Sequence, residues 1–396
     1  MSTDTIVSPF QKLWSFGNES IVALFVHLPG RVFINYNSSS NSSVDVTVSS
    51  DSKALLDLVH AEVVNRSLES SNVVHGEFTP VNGKHPVLNL TTLNPTEVTQ
   101  GNLLITLSVN SPVTMLSTMA DTVLNEGSLI SNNASATVRL QSLKSGSIYY
   151  SIDNTLQANV LDLTSHGDSS IQVVAPRIDV GTIWKITTYS NSAIGVVAPE
   201  ASTTELDSLA FDESAIYLQS DKSLTIEQSQ TEAFSNGAIN YYPQGTCGNS
   251  DVSAYNFGVV NIASLICQNT SAHVFFNGIV NVQTTDTLEA NTIDDGQVNY
   301  FNSTPLHLPQ DSDSFFHLKT NLAKVDVNTY NKWTLRTAPA QEPLYVTIAP
   351  EEIEFSSFEA TPSSNYGGTI AAFVIAILGF LVYIKRTKRV QYESIP

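Results

Sequence analysis

Two carboxyl groups, one protonated and one ionised, can together cleave a glycosidic bond, so acidic residues come first. Asp207, Asp212, Glu213 and Asp221 cluster in the chain but share no phase of any repeat. The histidines His27, His60, His75, His85, His166, His273, His307 and His317 are dispersed, without the pairing a metal site needs. Asp294-Asp295-Gly296 offers oxygen ligands but lacks the spaced set of a calcium loop. Nucleophile-elbow, zincin, phosphate-loop and dinucleotide fingerprints do not occur. The sequence therefore predicts no catalytic residue, no metal and no cofactor.

Amides promise a different chemistry, because each Asn both donates and accepts hydrogen bonds. Tyr217, Asn240, Asn261, Asn281 and Asn299 recur at nearly even spacing between apolar neighbours. On a strand with one buried face, such residues would form a flat outward strip. That strip could bind a glycan or another protein. Alternatively, its amides ladder with one another and only keep the sheet soluble.

These residues sit inside a repeat of about 22 residues. A small residue is followed by an apolar–variable–apolar triplet, with the first apolar position at Ile148, Ile171, Ile194, Ile216, Ile239, Val260, Val280 and Val298. Successive differences are 23, 23, 22, 23, 21, 20 and 18. The small residue permits a turn, and the alternation is that of a half-buried strand. One such strand cannot bury its face alone, whereas stacked copies bury a continuous column. A β-sandwich also has short, evenly spaced strands. It does not demand the same residue types at the same phase, so the expectation is an all-β parallel β-solenoid.

Cys247 and Cys267, the two cysteines of the chain, lie twenty residues apart, close to one turn of the repeat. Equivalent positions on stacked turns are about 4.8 Å apart, within disulfide reach. A Cys247–Cys267 bridge is predicted, in keeping with an oxidising compartment.

The pattern resembles the autotransporter adhesin head GIN domain family. The opening Val26-His-Leu-Pro-Gly-Arg-Val-Phe-Ile34, then Val44-Asp-Val-Thr-Val48 and Ala54-Leu-Leu-Asp-Leu58, is similar to that family's first strands and short helical turn. The middle resembles its run of coils. Gly296-Gln-Val298-Asn-Tyr300, with Pro305 just after, resembles its last Gly-rich turn. The likeness spans residues 21–305, although the family's Gly-Ser-Gly corner is mostly reduced here to Ser-Ser, Ser-Ala or a single Gly. It implies a right-handed parallel β-solenoid and an adhesive role at a cell surface, and brings no catalytic residues.

Composition and the chain's end bear on location. A net charge of −19 would repel nucleic acid. Residues 367–384 form an uncharged apolar stretch followed at once by Lys385, Arg386, Lys388 and Arg389, which predicts one transmembrane helix with a cytoplasmic tail at 385–396. Tyr392-Glu-Ser-Ile395 fits a Tyr-X-X-apolar endocytic signal. Asn18, Asn37, Asn41, Asn65, Asn89, Asn133, Asn269 and Asn302 open sequons that would allow glycosylation in a secretory lumen. Residues 1–20 lack a signal-peptide core, so the expectation is a leader encoded upstream; the alternative, a tail-anchored chain with its large domain in the cytosol, runs against the charge asymmetry. Residues 306–364 read as a cap on the last coil and a Pro-containing spacer. The sequence thus predicts a plasma-membrane, type I adhesin-like protein that binds a glycan or protein. A ligandless surface coat and a glycan-acting enzyme are the alternatives.

Overall fold

Period-two alternation along Ser147–Ser151, Ser170–Val174, Ala193–Val197 and Ala215–Ser220 turns every second side chain inward. The computed structural model describes residues 10–17, 20–67, 84–309 and 320–350. In it these strands stack parallel without slipping. Ile148 lies against Ile171, then Ile194, Ile216 and Ile239, and the column runs on through Val260, Val280 and Val298. Tyr150, Val173, Val196, Leu218 and Tyr241 form a second buried column in the same register. The result is a β-solenoid of about nine turns. Parallel pairing of like with like excludes the sandwich.

Each coil also carries a longer strand, among them Arg177–Tyr189, Glu200–Ala210, Ser223–Ala233 and Gly245–Tyr255. These stack parallel too, and their inward side chains, with Trp184 the bulkiest, fill the interior against the short strands. Truncating a fully buried Ile such as Ile216 to Ala would cost about 2–5 kcal/mol.

The corners explain the small residue of the repeat. Four positions before the apolar column the backbone turns left-handed, at Lys144, Gly167, Ser190, Asp212, Ser235, Asn256, Phe276 and Asp294. Two residues later the coil rests directly on the backbone of its predecessor. A Cβ on Gly258 would stand 2.4 Å from the Ala233 carbonyl oxygen, and one on Gly237 2.5 Å from that of Ala210. Where serine holds this place, its hydroxyl reaches the preceding coil instead. Ser192 Oγ donates to Ser165 O at 2.8 Å, and Ser169 Oγ to Ser142 O at 3.1 Å.

At both ends further strands extend the stack. At the N-terminal end, Val44–Ser50 lies antiparallel between Phe10–Phe16 and Thr99–Val109. The short helical turn expected at 54–58 is present as Lys53–Leu58, with Ser52 Oγ accepting from Leu55 N as its cap. From Val59 the chain is a strand, Val59–Ser67, because its valines and an antiparallel partner at Lys84–Thr92 favour extension. At the other end Leu322–Val325 pairs with Gln297–Phe301 and continues the last coil.

Leu344–Ile348 departs from expectation. It does not cap the last coil but pairs antiparallel with Thr99–Val109 at the opposite end. The intervening residues 326–343 therefore run back along the outer face of the short strands as an extended strap. Pro339 and Pro343 withhold backbone donors, which suits a segment that builds no ladder. The membrane-span expectation at 367–384, the tail 385–396 with Tyr392 and Ile395, and the Asn18 sequon all lie outside the described residues. No helix among the described residues is long and apolar enough to cross a membrane.

Candidate functional site

Along the long strands, pairing is interrupted at Thr204, Glu227, Gly248 and Gln268, and the chain bends there. Just past the bend two rows of polar side chains flank a groove of about 580 Å³. One row is Glu205, Gln228, Asn249, Asn269 and Thr287; the other includes Gln230, Asp251, Ser271 and Glu289. Between them the inward row changes chemistry. Trp184 and Leu206 give way to Ser229, Ser250 and Thr270, before Leu288 restores an apolar residue. Ser250 is almost fully buried, and its Oγ has no hydrogen-bond partner among the described residues. Asn269 Nδ2 donates to Asn249 Oδ1 at 3.0 Å, which fixes both amide planes.

The outer row continues beyond the groove as a ladder of charge: Arg139, Asp162, Lys185 and Asp207 precede Gln230 in strict register. Arg139 Nε lies 3.6 Å from Asp162 Oδ2. Burial raises the Asp162 pKa, with Arg139 and Lys185 opposing. Asp207 is pushed up to about 6, chiefly because burial strips water from its carboxylate. Lys185 opposes that rise, while Glu232, Glu205 and Asp162 add to it. In the groove itself the lining includes Glu205, Asp251 and Glu289, with no lysine or arginine. Such a trough offers donors and acceptors under a negative field, which suits hydroxyl-rich or amino-bearing ligands and disfavours anions.

The sequence-predicted strip is elsewhere, and it is covered. Asn240, Asn261, Asn281 and Asn299 do form a ladder, with amide-to-amide distances of 2.9, 2.6 and 2.9 Å. All four are buried, Asn240 completely, so the solvent-facing strip of the sequence reading is corrected. The physical reason is the strap. Asn331 N donates to Asn240 Oδ1 at 2.9 Å, and the Tyr217 ring lies 5.4 Å from that of Trp333. Asp212, Glu213 and Asp221 occupy corner or edge positions away from the groove rows, whereas Asp207 stands in the charge ladder.

Cys247 and Cys267 are register partners and form a disulfide, with Cα atoms 4.4 Å apart. The bridge ties two coils at the bend. Among the sequons, Asn89 is buried and donates to Glu62 Oε1 at 3.2 Å, leaving no room for a glycan in the folded chain. Asn37, Asn41, Asn65, Asn133 and Asn302 are exposed, and Asn269 lines the groove.

No family model and no curated protein matches the chain. Among solved structures it is similar to a "putative adhesin" from Parabacteroides distasonis, at 15% identity and a TM-score of 0.38, covering 80% of this chain and 96% of that one. A "putative adhesin" from Parabacteroides merdae is similar at 10% identity and a TM-score of 0.39, with coverages of 74% and 95%. A "putative lipid binding protein" from Parabacteroides distasonis gives 10%, 0.33, 83% and 98%.

Two features escaped the sequence reading although the repeat contained them. The groove rows stand eleven and nine residues before the apolar column, a constant offset that lies outside the short-strand motif. His166, Tyr189, Phe211, Phe234, Tyr255 and Phe275 stand five before it and stack face to face along the corner, with centroids 4.3 to 4.9 Å apart.

Proposed function

We propose that this chain is a single-pass surface protein whose solenoid binds a neutral or amino-bearing glycan along the groove, without catalysis. The observation that carries the reading is the pair of polar rows in register. They present amides, hydroxyls and carboxylates at a repeat of about 4.8 Å, over coils that include Asn249, Asp251, Asn269 and Ser271. Like groups at like spacing fit a polymer of like units. Rigid placement also limits the ordering cost of binding. The apolar stretch 367–384 and its basic flank support the anchor, with the solenoid on the face opposite the basic residues.

The test is a glycan array probed with the full chain in detergent, beside Asn249→Ala and Asp251→Asn. The expected result is retention of neutral or amino-bearing chains, exclusion of sialylated or uronate-rich ones, and at least tenfold weaker retention by the variants. Equal retention of all glycans by wild type and variants would end the proposal.

One observation favours a second reading, glycan cleavage. Asp207 and Asp251 stand two coils apart in one row, and the first is held largely protonated at mildly acidic pH. A substrate long enough to reach Asp207, just beyond the groove lining, would meet an acid as well as the Asp251 carboxyl group, the pairing a glycosidase uses. Release of new reducing ends from a retained glycan, abolished by Asp207→Asn, would establish it. A retained glycan recovered intact leaves binding alone.

A further inference from the structure

The short-strand face shows how it holds a peptide, because one lies on it. Gln172 Oε1 accepts from Arg336 N at 2.8 Å while its Nε2 donates to Arg336 O at 2.9 Å, a two-point grip on one residue's main chain. The same oxygen accepts from Trp333 Nε1 at 3.1 Å. Tyr242 Oη accepts from Trp333 N, and Asn240 Oδ1 from Asn331 N. Three side chains from two coils thus read backbone rather than sequence. Side-chain selectivity comes at two points. Trp333 lies over Gly195, where a Cβ would stand 2.2 Å from the indole. Arg336 donates to Ser170 Oγ at 3.1 Å, with its guanidinium 5.2 Å from the Trp333 ring.

Most strap side chains are otherwise exposed. The grip is also incomplete, since Asn240 Nδ2 is buried with no acceptor among the described residues. A bare glycine under an aromatic ring, amides aimed at main chain and one donor left over are the features of a recognition groove.

We propose that the outer face of the short strands is a peptide-binding groove that residues 328–337 fill in cis, and that it takes an extended Trp-X-X-Arg peptide in trans once they are removed. The cis segment masks the groove, so an outside peptide binds the intact chain only in proportion to the fraction of open strap. This inference is independent of the glycan groove, which lies on the long strands.

The probe is a fluorescein-labelled peptide with the sequence of residues 328–337. The host is the full chain with those ten residues replaced by Gly-Ser repeats of equal length. Saturable binding to this host is expected, displaced by unlabelled peptide. Binding should be at least tenfold weaker to wild type, and at least tenfold weaker when Gln172→Leu is added to the host. A folded host that ignores the peptide overturns the proposal. So does a host that loses its cooperative strand melting, because the face would then have no existence without its strap. Binding unaffected by Gln172→Leu overturns it as well.

Discussion

Replacing Asp207 with Asn isolates one carboxyl whose environment the fold has changed. In the unfolded chain an Asp titrates near 3.9, whereas in the stack Asp207 titrates at about 6. The native state therefore holds this proton more tightly than the unfolded state. Its contribution is fully present below the unfolded value and is lost as pH rises through about 6. A gap of about two units corresponds to at most about 3 kcal/mol, and solvent at this half-buried site reduces that to about 1–2 kcal/mol. Asn keeps the shape and cannot ionise. At pH 7.5 Asp207→Asn should be more stable than wild type by that amount, and near pH 4 the difference should disappear. Urea unfolding followed by far-UV circular dichroism, repeated from pH 4 to 8, measures it. A stability difference that stays constant across that range would refute the reasoning, because it would show that Asp207 titrates alike in both states.

Gly258→Ala places a methyl 2.4 Å from the Ala233 carbonyl oxygen and should destabilise by about 1–3 kcal/mol, read as a lower denaturant midpoint. A neutral result would show that the corner does not rest on its neighbour. Asn281→Ala strips Asn261 Oδ1 of its donor and Asn299 Nδ2 of its acceptor inside a buried ladder. The expected loss is about 2 kcal/mol or more, with faster amide exchange confined to the flanking coils, since each coil touches only its neighbours. Exchange that rises equally across the whole solenoid would contradict that locality.

The repeat was legible because burial repeats. Ile148 through Val298 could be read as one column since each must meet the same interior, and the structure keeps them in unbroken register. Cys247 and Cys267 were legible for the same reason, as both stand thirteen residues before Val260 and Val280. The strap was not. Residues 326–343 carry no alternation, and their main chain meets side chains 91 and 164 residues away, Asn240 and Gln172. Nothing local encodes such a pairing. An outward-pointing side chain is an exposed one only where no other segment crosses the sheet, and the strap crosses the amide strip at Asn240.

The two outer faces of one coil therefore have different fates, and the charge row supports the long-strand face as the one proposed for a ligand. In the earlier coils Arg139, Asp162, Lys185 and Asp207 alternate in sign from coil to coil, so the field is neutralised within the stack. From Gln230 onward the alternation stops. Asp251 and Glu289 have only Gln230 and Ser271 as their neighbours in that row. In the same coils the inward row turns from apolar to hydroxyl, at Ser229, Ser250 and Thr270, which gives up apolar burial without gaining a partner for Ser250 Oγ. A repeat under selection for stacking alone would keep both the alternation and the apolar row, since each stabilises neighbouring coils. Both are abandoned together, in the coils that line the groove. Loss of two stabilising patterns at one place is the mark of a surface shaped for something other than its own fold.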